Sequence, residues 1–166
     1  MIELREEISS DVQPIHQVTE LAFRGRPYAG GDEQDVVDRL RAQNALTLSL
    51  VAIEAGELVG QVTFSPAELS NGSGLWYALG PVSVTPQLQS EGIGASLINL
   101  GLEKITAMGA LGCILTGNPA YYTRFGFKLS PKHAPDNEPE AFFMLKLMQD
   151  VQPEGRFAFH QAFYGA

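Results

Sequence analysis

The sequence predicts a mixed α/β domain, with a central and mostly antiparallel sheet flanked by helices. Three observations predict it. Apolar runs at residues 47–54 and 58–65 flank Ala55-Gly56-Glu57, the pattern of a hairpin. A further strand-like run at 75–84 leads into the turn Gln89-Ser90-Glu91-Gly92-Ile93-Gly94, and then into an amphipathic stretch reaching Met108. Strand and helix patterns interleave along the 166 residues without an internal repeat, which fits one domain over 1–166.

Residues 2–5 alternate and form a short first strand. Ser9, Ser10 and Asp11 supply capping oxygens for a helix to about Phe23; Pro14 is tolerated in its first turn, and Ile15, Val18 and Ala22 share a face. Residues 24–31, broken by Gly and Pro, are a loop. Asp32 caps a second helix whose Val36, Val37 and Leu40 face the core. After the hairpin, a turn at 70–74 leads to the strand at 75–84. In the helix from Gly92 to Met108, Ser96, Asn99, Glu103 and Thr106 make one narrow polar stripe. Ile93, Leu97, Gly101, Ile105 and Met108 line the opposite side, widened by Ile98 and Leu102. So little polar surface places this helix deep against a sheet, and Gly109 ends it. A buried strand at 112–115 follows, then a short helix opened by Pro119. Residues 127–140, with three prolines, read as a surface loop; 141–148 is an apolar strand, and 156–163, with Phe157 and Phe159, is a last one.

Composition excludes several classes. The formal net charge is −8 and no basic stripe is visible, which argues against a nucleic-acid partner. No run approaches the ~20 apolar residues of a membrane span, and residues 1–7 lack the basic start and apolar core of a signal peptide. The single cysteine, Cys113, permits no internal disulfide, so a reducing cytoplasm is the expected location. Within 111–115 that cysteine reads as inert packing. His16, His133 and His160 stand apart without acidic or cysteine neighbours at ligand spacing, so no metal is expected.

Chemistry concentrates in two segments. Gly92 and Gly94 let the backbone turn sharply and bring its N–H groups close to a ligand. A turn of this kind feeding a helix N-terminus offers unpaired N–H groups and a positive dipole end to an anion, typically phosphate. The Rossmann pattern would need a third glycine where Leu97 stands, and no Walker A run exists. These residues alone leave open a phosphate-bearing ligand or a plain strand-to-helix turn. The second segment, 116–127, carries Asn118, Tyr122, Gly126 and Phe127 in the spacing N-x-x-x-Y-x-x-x-G-F.

The Q-x-x-G-x-G turn resembles motif A of the GNAT-type N-acetyltransferase superfamily, and the second block resembles its next motif. The wording Pro-Ala-Tyr-Tyr-x-Arg-Phe-Gly-Phe is similar to a bacterial subgroup of small acetyltransferases. The resemblance implies acetyl-CoA as cosubstrate, no metal, and a sheet splayed at the strand that pairs with the cofactor's pantetheine arm. On this sequence those pairing groups belong to Val82, Ser83 and Val84, and the diphosphate falls on Gln89, Ser90, Glu91, Gly92, Ile93, Gly94 and Ala95. Glu91 departs from what a diphosphate favours unless its carboxylate points to water. Asn118 is placed to bond the pantetheine, and also to cap the helix that Pro119 opens. Tyr122 takes the position of the tyrosine that protonates the departing thiolate, with Tyr121 as packing or lining of the substrate side.

The implied reaction is direct transfer of acetyl to a primary amine within a ternary complex. Glu33, Asp35 and Glu68 are carboxylates from which a base could come, and no spacing selects one. Acidic residues around the second helix favour a cationic amine. A homodimer is compatible with the resemblance. The alternative is a non-catalytic acyl-CoA-binding module, a sensor or assembly partner, with the same fold; Tyr122 favours the enzyme.

Overall fold

The computed structural model describes residues 1–165. Its elements run β1 (Ile2–Glu6), α1 (Val12–Phe23), α2 (Glu33–Ala42), β2 (Leu48–Glu54), β3 (Glu57–Leu69), β4 (Trp76–Val84) and α3 (Ile93–Ala107), then β5 (Gly112–Thr116), α4 (Pro119–Tyr122), β6 (Lys128–Leu129), β7 (Phe143–Leu147) and β8 (Phe157–Ala158). The sheet order is β1-β2-β3-β4-β5-β7-β6, with β8 added beside β3. Every pairing is antiparallel except β4 with β5, which α3 connects. Among the described residues no helix is long and apolar enough to cross a membrane.

Local chemistry accounts for the main elements. Ala55 (φ 53°) and Gly56 (φ 81°) form a two-residue turn with both centres left-handed. That turn's twist matches the strands it joins, Glu54 lying opposite Glu57. In α1 and α2 the expected apolar faces are buried, Ile15 and Val37 meeting Val51 of the sheet. The caps differ from expectation. Asp11 turns away from α1 to accept from the Ile8 N–H (2.8 Å) and the Arg5 guanidinium (2.7 Å). These contacts hold its carboxyl below the usual range. Asp32 does not cap α2 but pairs with Arg39; the neighbouring Glu33 accepts instead from the N–H groups of Gly30 and Gly31.

α3 carries the expected pattern: Ser96, Asn99, Glu103 and Thr106 are exposed, and the apolar residues facing them are buried. Gly101 lies so close to the Phe64 ring that an added Cβ would come within 2.2 Å of it. Met108 is the exception at 45% exposed, because it sits at the C-cap beyond the packed face. One layer of core lies between α3 and the sheet, around Leu50, Val62, Phe64, Leu79, Leu97 and Ile105. On the opposite face lie α1, α2 and a cluster built on Trp76, Ile114, Phe143 and Phe157.

Two late segments differ from what their sequences suggest, the first more regular and the second less. Residues 127–140 contain the two-residue strand β6, paired with β7, among turns of 3₁₀ type. The strand expected over 156–163 shrinks to β8 and gives way to a 3₁₀ turn at Gln161–Tyr164. The reason is topological. β2 leaves β3 at Phe64, so the last residues of β3 have a vacant edge, and Phe157 and Ala158 fill it opposite Leu69 and Glu68.

Candidate active site

β4 and β5 are paired only at Trp76–Gly112, Tyr77–Cys113 and Ala78–Ile114. Beyond Ala78 the strands part, and local sequence forces the parting. The register to β3 jumps from Leu79–Phe64 to Val82–Val62, so Gly80 and Pro81 together oppose Thr63 as a bulge. Gly80 takes φ 124°, and Pro81 has no N–H to give to a neighbour. The Pro81 carbonyl accepts from Gln61 Nε2 at 3.1 Å. The same Nε2 reaches Ser83 Oγ (2.7 Å), Thr63 Oγ1 donates to Gln61 Oε1 (2.8 Å), and Ser83 Oγ donates to Thr19 Oγ1 of α1 (3.1 Å). All four side chains are buried, so this network fixes the bulge from behind. The polar residues at alternate positions 61, 63 and 65 were its only trace in the sequence.

Beyond the bulge the strand divides its backbone groups. The Thr85 N–H donates to the Val59 carbonyl at 2.8 Å. Antiparallel alternation then turns Ser83 toward β3 and turns the N–H and C=O groups of Val82 and Val84 into the gap. Ser83 thus pairs with Gln61 while its hydroxyl serves the buried network. The Val84 carbonyl accepts from Gln89 Nε2 at 3.0 Å, and Gln89 Oε1 accepts from Arg26 Nη2 at 2.7 Å. Gln89 is therefore a strut between β4 and the loop after α1. Arg26 stands beside the glycine turn, 63 residues away in sequence, where sequence reasoning had no signal for it.

The turn itself has the geometry of an anion cradle. Ser90 (φ 70°) and Gly92 (φ 88°) are left-handed, and Gly92 is the N-cap of α3. No side chain caps this end, so the first-turn N–H groups of Ile93, Gly94 and Ala95 stay open. Ile93 is buried and anchors the turn, while Glu91 is exposed to solvent. A Cβ built on Gly94 would lie 3.6 Å from Val84 Cγ2 and 3.7 Å from the Tyr121 hydroxyl, so turn, strand and α4 converge here.

α4 starts where Asn118 caps it, its side chain accepting from the Ala120 N–H at 3.0 Å. The Tyr122 ring lies against Gly117, so closely that a Cβ there would come within 2.7 Å of it. Burial pushes the Tyr122 phenol up to about 12, with smaller contributions from Tyr121 and from Tyr28 in the loop after α1. Tyr121 stands edge-on to Tyr122 at 5.0 Å, with the Arg124 guanidinium 4.4 Å from its own ring centre. Cys113 is fully buried in the core, and burial raises its thiol.

The carboxylates singled out as bases each have surroundings of their own. Glu33 is occupied by Gly30 and Gly31, and Glu68 is exposed at the end of β3 remote from the gap. Asp35 joins His16 and Asp38, whose ligand atoms all lie within 4.8 Å, with His16 Nδ1 2.7 Å from Asp38. The sequence had left His16 without acidic neighbours, because the partners are separated by a whole loop. Arg39 and Arg41 pair with Asp32 and Asp38, so much of the acidity around α2 is neutralised locally.

Comparison with known proteins agrees with this geometry. Residues 3–130 match the family model described as acetyltransferase (GNAT) domain. The chain is 32% identical to YhbS of Escherichia coli K12, named an uncharacterized N-acetyltransferase, over 113 residues and 68% of each protein. Among solved structures it resembles a GNAT family acetyltransferase from Brucella melitensis in complex with acetyl-CoA. The two are 44% identical over 98% of each chain, with a TM-score of 0.87. E. coli YhbS in complex with CoA superposes with a TM-score of 0.89 at 27% identity, over 98% of this chain and 92% of that one. The chain belongs to the GNAT acetyltransferase family.

Proposed function

We propose that this protein transfers the acetyl group of acetyl-CoA to a primary amine. The observation that carries the reading is the edge of β4 left free by β5, with the Val82 backbone groups and the Val84 N–H facing the gap, running directly into the uncapped N-terminus of α3. Two amides of a pantetheine arm match such an edge, and a diphosphate matches open N–H groups from Gly92 to Ala95. The Brucella and E. coli relatives, solved with acetyl-CoA and CoA, support the same assignment. Arg26 adds a cation beside the diphosphate position, offsetting Glu91, whose exposed side chain points to water.

The chemistry follows from the residues at the gap. The acceptor arrives as an ammonium, loses a proton and attacks the thioester carbonyl; a C–N bond forms and the C–S bond breaks. Tyr122 sits where α4 faces the end of β5, and a phenol raised to about 12 is fully protonated near neutral pH. It therefore donates to the departing sulfur and recovers a proton from the new amide nitrogen. The net charge of −8 supports a cationic acceptor.

Calorimetric titration with CoA and acetyl-CoA, followed by assay of thiol release across a panel of primary amines, tests the reading. Binding together with amine-dependent thiol release is the expected result. Tight binding with no thiol release from any amine would make the protein an acyl-CoA-binding module instead.

A further inference from the structure

From its place at the end of β5, we propose that Glu138 is the general base that takes the proton from the acceptor's ammonium. This rests on the acetyltransferase reading above. The cofactor side of the gap is set by α3, whose N-terminus and core share one face of the sheet with Tyr121 and Tyr122. An arm reaching in from that face leaves the opposite face for the acceptor. Along β5, Cys113 and Leu115 point into the α3 core and Ile114 points the other way, so Thr116 projects toward the acceptor face. Thr116 Oγ1 donates to Glu138 Oε1 at 2.8 Å, and the Tyr164 hydroxyl donates to Glu138 Oε2 at 2.5 Å. Gly117, the next residue, carries the Tyr122 ring. The carboxylate and the phenol thus stand on either side of the same strand end.

The charge pattern singles out Glu138 from its neighbours. Asp136 and Glu140 share its segment, and both pair with Arg156, at 3.6 and 3.7 Å. Among the described residues Glu138 has no cationic partner, only two hydroxyl donors. A half-buried carboxylate held in place but not neutralised suits a ligand cation. Burial and Glu138 together raise the Tyr164 phenol, which keeps it a donor to the carboxylate. The protons then balance. Glu138 takes the first from nitrogen and releases it to solvent, while Tyr122 gives one to sulfur and regains the second from nitrogen. Thr116 and Tyr164 act as positioning residues.

Glu138→Gln keeps an oxygen to accept a hydroxyl and removes the basic site. With saturating acetyl-CoA, and with benzylamine, spermidine or water alone as acceptor, thiol release near neutral pH is expected to fall roughly 10²-fold. Acetyl-CoA affinity should be unchanged. The deficit with amines should shrink about tenfold per pH unit toward the amine's own pKa, because free amine no longer needs the base. Tyr164→Phe, which only loosens Glu138, should give a smaller fall and keep the wild-type pH profile. Wild-type turnover with Glu138→Gln at wild-type rate and pH profile would overturn the role of Glu138 alone. No thiol release by the wild type with any acceptor, water included, would overturn the transferase reading with it.

Discussion

A Cβ at Gly94 meets Val84 and Tyr121 at ordinary contact distance, so the fold tolerates it. The space it takes is the space proposed for the ligand. Gly94→Val is therefore expected to weaken acetyl-CoA binding at least tenfold, about 1.4 kcal/mol, in a protein whose melting curve is unchanged; calorimetry reads the first and circular dichroism the second. Gly92→Val is a poorer probe, because its left-handed φ of 88° penalises any side chain before a ligand is involved. Tyr122→Phe removes one oxygen from a ring held by Gly117 and Phe127. Turnover should fall by roughly 10²-fold with little change in cofactor affinity, and equal turnover in rate-limiting chemistry would reduce Tyr122 to packing. Glycine spacing and the tyrosine were legible in the sequence because each is local to its motif. Arg26 and Glu138 were not: Arg26 reaches Gln89 across 63 residues, Glu138 reaches Thr116 and Tyr164 across 22 and 26, and nothing in a linear pattern marks a loop glutamate for a strand end or a C-terminal hydroxyl.

Among the elements, α3 was the most legible; β6 was read as loop, and β8 was foreseen but far too long. A fifteen-residue helix repeats its periodic signal several times over. A two-residue strand exists only because β3 outlasts β2 and leaves an edge to be filled, and no local pattern records a vacancy elsewhere. The parting of β4 from β5 lies between these extremes. Gly80-Pro81 is visible in the sequence, but the buried brace of Gln61, Thr63, Ser83 and Thr19 joins three elements. The seating of α3 makes its own prediction. Gly101 admits no Cβ without moving the Phe64 ring, which is fully buried. Gly101→Ala gains helix propensity but overpacks, and is expected to cost a net 1–3 kcal/mol, roughly, by urea denaturation. A stabilised variant would show that helix and sheet separate at little cost.

At the scale of the whole molecule the charge of −8 acts on encounter rather than on fold. The paired acids around α2 leave this field less concentrated than their sequence positions suggest. If it steers, kcat/KM for a cationic amine should exceed that for an anionic one, and the advantage should shrink as salt shortens the Debye length from about 10 Å at 0.1 M to about 3 Å at 1 M. A preference unmoved by salt would place selectivity in the site alone. The parted sheet has a different consequence at this scale. A sheet that opens in its interior has extra edges, and free edges invite self-association into larger aggregates. Here the inner edge is kept short. Pro81 offers no donor and Gln89 covers the Val84 carbonyl, which leaves only a few polar groups between them. That length is too small to template a strand from another chain, yet it suffices for a flexible ligand with two amides. The same shortness protects the protein from itself and sets the size of what it admits.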